Sequence, residues 1–195
     1  MDRIAEITRN TNETKIHMTL NLDGSGKGEI HTGIGFFDHM LNSFARHGFF
    51  DLSAEVDGDL EVDTHHTIED TGIVLGQAIK KAVGDKKGIV RYGSQILPMD
   101  ESLVLCALDL CGRPYLVYDL NLDREKVGGL ETEMVREFFY AVSYGAEMNL
   151  HIKQMSGMNN HHIIEAAFKA FAKALDGAVA AEPRLTGVLS TKGSL

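Results

Sequence analysis

His65-His66-Thr67-Ile68-Glu69 and His161-His162-Ile163-Ile164-Glu165 are one motif written twice, H-H-x-x-E. Each copy opens a helical pattern after a turn-like run, Glu61–Thr64 in one case and Ser156–Asn160 in the other. At 3.6 residues per helical turn, the Glu lies one turn beyond the His pair on the same side. Adjacent histidines diverge by roughly 100° about the axis, so the pair is poorly placed to chelate one ion together. Two ions, each taking one histidine from each helix, fit that divergence. A single His-His pair is a weak signal, because polar residues are common at helix starts. Two copies with the same Glu offset point to a dinuclear metal site.

The repetition extends outward from the motif. The first motif helix should run from about His65 to Val83, with Gly84 after it. Before it stand a strand at 50–57 and a helix from about Phe36 to His47, striped by Phe37, Met40, Leu41 and Phe44, with Gly48 as its stop and His47 near its C-terminus. A hairpin of strands 3–9 and 15–22 opens the chain, with His17 on its polar face, and the stretch to Gly35, holding His31, reads as a loop. The second half follows the same order. Strands near 91–97, 102–110 and 114–121 precede a helix from about Glu131 to Tyr144, and a strand at 148–154 leads to the second motif helix, ending near Leu175.

Ile68, Leu75 and Ile79 on one motif helix match Ile164, Phe168, Phe171 and Leu175 on the other, with His and Glu along one edge of each stripe. Core packing explains the stripes but not the recurring polar edge. His39 lies 26 residues before His65, and Glu137 lies 24 before His161. Each projects roughly 130–140° from the apolar stripe of its helix, which for Glu137 is Met134, Val135, Phe138 and Val142. The expected fold is α+β, an internally duplicated domain. Each half (about 1–86 and 87–185) is a mostly antiparallel sheet with two helices packed on one face, and a tail, 186–195, closes the chain.

Composition limits the function. The chain has 195 residues, 44% apolar and 24% charged, as expected of a single globular domain. A net charge of -9 argues against nucleic acid or an anionic membrane as main partner. No 18-residue apolar run occurs and the opening MDRIAEITRN has no long apolar stretch, so neither signal peptide nor membrane span is expected and the cytoplasm is the default. Cys106 and Cys111, five residues apart on a strand-like run, should face opposite ways and stay unpaired thiols.

The candidate metal ligands are His39, His65, His66, Glu69, Glu137, His161, His162 and Glu165. Four nitrogen or carboxylate ligands per ion, with no thiolate, suit manganese, iron, cobalt or zinc and leave octahedral positions for water or substrate. His151 is a weaker candidate and reads mainly as a strand histidine. For an anionic substrate there are Lys169, one turn beyond Glu165, Arg91, Arg113 in a Gly-Arg-Pro turn, and Ser190-Thr191-Lys192-Gly193 at the C-terminus. Singly, each of these is an ordinary surface cation. Two carboxylates remain for proton transfer, Glu13 and Asp100, at matching turns before the 15–22 and 102–110 strands. A dinuclear hydrolase and a metal that only joins subunits are the rival readings. The cations and spare carboxylates around the ligands favour an enzyme.

FFDHM (36–40), DTHHTIED (63–70), PMDES (98–102), NNHHIIEAAFKAFAKAL (159–175) and the closing STKG (190–193) resemble the imidazoleglycerol-phosphate dehydratase family of histidine biosynthesis, across essentially the whole chain. The resemblance implies a duplicated α+β fold, two manganese ions per active site, and a homo-oligomer of twenty-four subunits whose sites lie between subunits. It puts metal ligands at the eight positions named above; Glu137 stands where some members carry His. It puts substrate contacts at Glu13, His47, Arg91, Arg113, Lys169, Ser190 and Lys192. The implied reaction is the dehydration of imidazole glycerol phosphate to imidazole acetol phosphate by way of a metal-bound imidazolate. That anion expels the hydroxyl beside the ring, and Glu13 is then the proton-transfer group.

Overall fold

The structure is a computed structural model and describes residues 3–195. Its first half runs β1 (Ile4–Asn10), β2 (Thr14–Asn21), β3 (Gly28–His31), α1 (Gly35–Gly48), β4 (Asp51–Gly58) and α2 (His65–Val83). The second runs β5 (Tyr92–Met99), β6 (Ser102–Asp109), β7 (Tyr115–Asp119), a small hairpin of β8 (Lys126–Val127) and β9 (Leu130–Glu131), α3 (Glu133–Ala146), β10 (Asn149–Ser156) and α4 (Asn160–Val179). The two large sheets have the orders β1-β2-β4-β3 and β5-β6-β10-β7. One order maps onto the other when each strand is replaced by its counterpart, so the duplication read from the motifs is also a duplication of topology. Each sheet is antiparallel except at one edge, where β3 pairs parallel with β4 and β7 parallel with β10.

Strand alternation sets which face is covered. Thr14, Ile16, Met18 and Leu20 of β2 point inward, as do Ser102, Val104, Cys106 and Leu108 of β6, while their neighbours stay in partial or full contact with solvent. The covered faces look toward each other across the four helices. α2 packs on β1 and β2, α4 on β5 and β6, and between the sheets α1 packs on α4 and α2 on α3. Aromatic rings fill the helix layer: Phe44 stacks on Phe171 with centroids 5.4 Å apart, and Phe138 on Phe168 at 5.1 Å. Each such ring contributes about 2–3 kcal/mol of burial. At the α2–α3 crossing, glycines let the two backbones approach. A Cβ on Gly76 would come within 2.6 Å of the Val142 carbonyl, and one on Gly145 within 2.7 Å of the Ile73 carbonyl.

The structure departs from the sequence reading at several boundaries. Gly28–His31, expected as loop, is an edge strand; only Ile30 of its four residues is buried, so no alternating pattern announces it. The β8–β9 hairpin is an addition with no counterpart in the first half. Helix α4 continues to Val179, one turn past Leu175, because Ala178 and Val179 are buried. The left-handed residue ending α1 is Phe49, at φ 58°, and Gly48 is instead the last helical residue. A Cβ on Gly48 would lie 2.2 Å from the Phe50 ring, so the ring and not the turn requires glycine there. Cys106 is buried in β6 whereas Cys111 lies beyond the end of that strand, also buried; both are free thiols. No described helix is long and apolar enough to cross a membrane.

Candidate metal centre

Both motif pairs sit in the first turn of their helices, held there by short polar residues. Asp63 accepts the backbone N–H of His65 at 2.7 Å, and Asn159 accepts those of His161 and His162 at 3.0 and 3.4 Å. With the backbone so fixed, His161 and Glu165 meet along one face of α4, Nε2 to Oε2 at 3.1 Å. His39 reaches the same carboxylate from α1, Nε2 to Oε2 at 3.5 Å. One ligand atom from each of His39, His161 and Glu165 falls within 4.8 Å of the others, so a single ion could touch all three. The edge of the Phe36 ring packs on His161 at 4.9 Å and shields one side of the cluster.

Glu165 is nearly buried, and burial alone would raise its carboxyl pKa. Lys169, whose Nζ lies 2.6 Å from Oε1, together with His161 and His39 outweighs that and holds it below the usual carboxylate range. It therefore stays ionised, as a ligand must. His47, on α1, is pushed below the ordinary imidazole value first by partial desolvation and then by the charge of Lys169 on α4. It is thus neutral near pH 7 and able to accept a hydrogen bond.

The equivalent place on α2 and α3 is less assembled. His65 faces Glu69, Nε2 to Oε2 at 3.7 Å, while the Glu137 carboxylate takes a 2.7 Å hydrogen bond from Arg136. His66 and His162 turn away from both clusters. His66 Nδ1 lies 2.9 Å from Asp59 and its Nε2 faces Glu13 at 3.8 Å; His162 Nδ1 lies 2.8 Å from Glu101 and its Nε2 faces Asp100 at 3.6 Å. Each H-H-x-x-E helix therefore meets a helix of the other half that lacks the motif. Within one chain the converging imidazoles come from α1 and α4, and not from α2 and α4 as the divergence of adjacent histidines suggests.

Arg91, Arg113, Ser190 and Lys192 line one cavity of about 680 Å³ between the start of β5 and the C-terminal tail. Arg91 is buried, with its fork on Asp109 (Nε–Oδ1 2.7 Å, Nη2–Oδ2 3.0 Å) and its third nitrogen donating to the Leu189 carbonyl at 2.6 Å. It anchors the tail and leaves Arg113 and Lys192 as the freer cations. The Arg91 backbone N–H donates to the Ala178 carbonyl, at the far end of α4 from His161. At 1.5 Å rise per residue, about 25 Å of helix separates the cavity from the His39–His161–Glu165 cluster. His151, on the exposed outer face of β10, joins neither group. Asp59 and Glu101 escaped the sequence reading. Glu101 lies within the PMDES stretch, but nothing in the local pattern around Asp59 marks it.

A family model described as imidazoleglycerol-phosphate dehydratase matches residues 32–175. Relatives bearing that name include one from Lachnoclostridium phytofermentans, 67% identical over 195 residues and all of both chains, and one from Acetivibrio thermocellus, 62% identical over the same span. Among solved structures, the dehydratase of Staphylococcus aureus aligns with a TM-score of 0.83 at 42% identity, covering 91% of this chain and 99% of its own. The Pyrococcus furiosus structure, in complex with (S)-C348, aligns at 0.85 and 38% identity, covering 97% and 100%.

Proposed function

The chain belongs to the imidazoleglycerol-phosphate dehydratase family, and from that premise we propose that it is a manganese-dependent hydro-lyase of histidine biosynthesis, converting imidazole glycerol phosphate to imidazole acetol phosphate and water. The observation that carries the metal reading is the His39–His161–Glu165 cluster, which joins both halves of the chain in a nitrogen–carboxylate donor set free of thiolate. Such a set fits manganese. By the duplication, His65, Glu69 and Glu137 would hold a second ion once the Glu137 carboxylate turns from Arg136, and His66 and His162 would supply one further imidazole to each. Two bound manganese ions would supply positive charge beside the substrate's ring, lowering its N–H pKa toward the imidazolate.

The chain's own residues do the rest. Loss of the ring N–H proton lets the ring push out the hydroxyl on the adjacent carbon, which leaves as water with that proton. The proton on the next carbon is then removed and returned to the ring nitrogen, giving an enol that becomes the ketone. Glu13 is the proton-transfer group, an exposed carboxylate beside His66. Arg113, Lys192 and Ser190 bind the phosphate in the tail cavity, Arg91 holds the tail over it, and Lys169 and His47 bind near the ring. One small substrate cannot span about 25 Å, so the cluster and the cavity that serve one molecule come from different chains. The functional form is accordingly a homo-oligomer, which we take to be the twenty-four-subunit assembly. Glu13→Gln should keep manganese content and assembly while losing most turnover; near-normal turnover would remove Glu13 from the role.

A further inference from the structure

His66 and His162 share a contact that the duplication alone does not account for. Each presents Nδ1 to a carboxylate: His66 to both oxygens of Asp59, at 2.9 and 3.2 Å, and His162 to Glu101 at 2.8 Å. The two carboxylates occupy non-equivalent places in the repeat. Asp59 follows β4, the strand before α2, whereas Glu101 lies in the β5–β6 turn. The same arrangement is therefore built twice by different means. An ionised carboxylate only accepts hydrogen bonds, so Nδ1 must carry the proton in both rings, and in the neutral imidazole Nε2 keeps the free lone pair. In both halves Nε2 also faces outward, toward an exposed carboxylate on a turn, Glu13 or Asp100. His65 and His161 behave differently, with Nε2 turned to the Glu of their own helix.

We propose that Asp59 and Glu101 are positioning residues, which fix His66 and His162 in the Nδ1–H tautomer before any ion arrives and present Nε2 to an ion carried by another copy of the chain. This rests on the metal reading above. A ligand already held in one tautomer and one ring orientation loses less freedom on coordination, and a carboxylate behind the ring strengthens the donor nitrogen. Glu101 has a second duty, since it also accepts the N–H groups of Met158 and Asn159 at 3.2 and 2.9 Å and so pins the lead-in to α4. The Asp59 side chain bonds His66 alone among the described residues, which makes it the cleaner test.

Asp59→Ala and Asp59→Asn would be compared with the parent as full chains. Magic-angle-spinning NMR of isotope-labelled histidine reads the tautomer in metal-free protein, with His66→Gln to assign the resonance, and chelator competition reads manganese affinity. Asp59→Ala should lose the Nδ1–H signature of His66 and weaken manganese uptake about tenfold to a hundredfold, with an unchanged unfolding midpoint. Asp59→Asn, whose side-chain carbonyl still accepts from Nδ1, should recover the tautomer and most of the affinity. An unaltered tautomer in Asp59→Ala, or manganese affinity within twofold of the parent, would overturn the inference. A parent chain that takes up no manganese would overturn the metal reading itself, a different result from a parent that binds and a variant that binds as well.

Discussion

Replacing Gly76 with Ala tests whether helix spacing sets the metal centre. The new Cβ would lie 2.6 Å from the Val142 carbonyl, 2.8 Å from the Ala146 nitrogen and 2.8 Å from Gly145 Cα, where ordinary contact begins at 3.4 Å. All three neighbours are backbone atoms, so no side chain can swing away and α2 must separate from α3 by about 0.8 Å. Overpacking of this kind costs about 1–3 kcal/mol, and rigid neighbours put it at the upper end. Ala gains about 1 kcal/mol over Gly in helix propensity, which leaves a net loss of about 2 kcal/mol. Gly76 stands two turns beyond Glu69 on α2, and α3 carries Glu137, so the same separation should pull that ligand set apart. The His39–His161–Glu165 set lies on the other helix pair and should keep its affinity. Urea unfolding of the metal-free variant reads the first effect, and manganese titration the second, as one weakened site beside one normal site. Gly177→Ala is the control, because nothing lies within 4 Å of its added Cβ. It should stabilise by about 0.5–1 kcal/mol. A Gly76→Ala chain as stable as its parent with both sites intact would refute the reasoning.

Lys192→Ala should raise KM and leave kcat nearly unchanged, since the side chain lines the tail cavity and not the cluster; an unaltered KM would reduce the tail to a structural part. Asp51 offers a pH test. Its carboxyl is held below the usual value of 3.8 by the backbone N–H groups of Ser25 and Lys27. Because the folded pKa is the lower one, the stabilisation is complete above the unfolded value and disappears as pH falls through the folded value. Asp51→Ala should therefore unfold at lower urea than its parent between about pH 5 and 7, with the gap closing below about pH 4. A gap that widens in acid would reverse the assignment.

The fold was legible where a pattern repeats over many residues. The two H-H-x-x-E stretches, the helix stripes and the alternation in β2 and β6 each carry the signature of one covered face, and they agree between halves. The elements that escaped are short and lean on distant neighbours. β3 exists because β4 offers it a parallel edge. The β8–β9 hairpin is held by side chains far along the chain, with Glu131 accepting from Thr64 beside α2, and Asp123 accepting from Asn160 at 2.5 Å at the start of α4. At the site, helical spacing alone placed His161 with Glu165. It could not place His39 beside them, because that depends on how α1 crosses α4, nor could it find Asp59 behind His66. The adjacent imidazoles of each pair do diverge, His65 and His161 toward the Glu of their own helix and His66 and His162 toward Asp59 and Glu101. That each motif helix pairs with α1 or α3 is a property of tertiary packing.

Manganese anomalous scattering from crystals of the loaded protein tests the central claim most directly. An ion peak should lie within bonding distance of His39 Nε2, His161 Nε2 and a Glu165 oxygen of one chain, with an imidazole from a second copy completing the set. Ions bound elsewhere, with that cluster bare, would contradict the account.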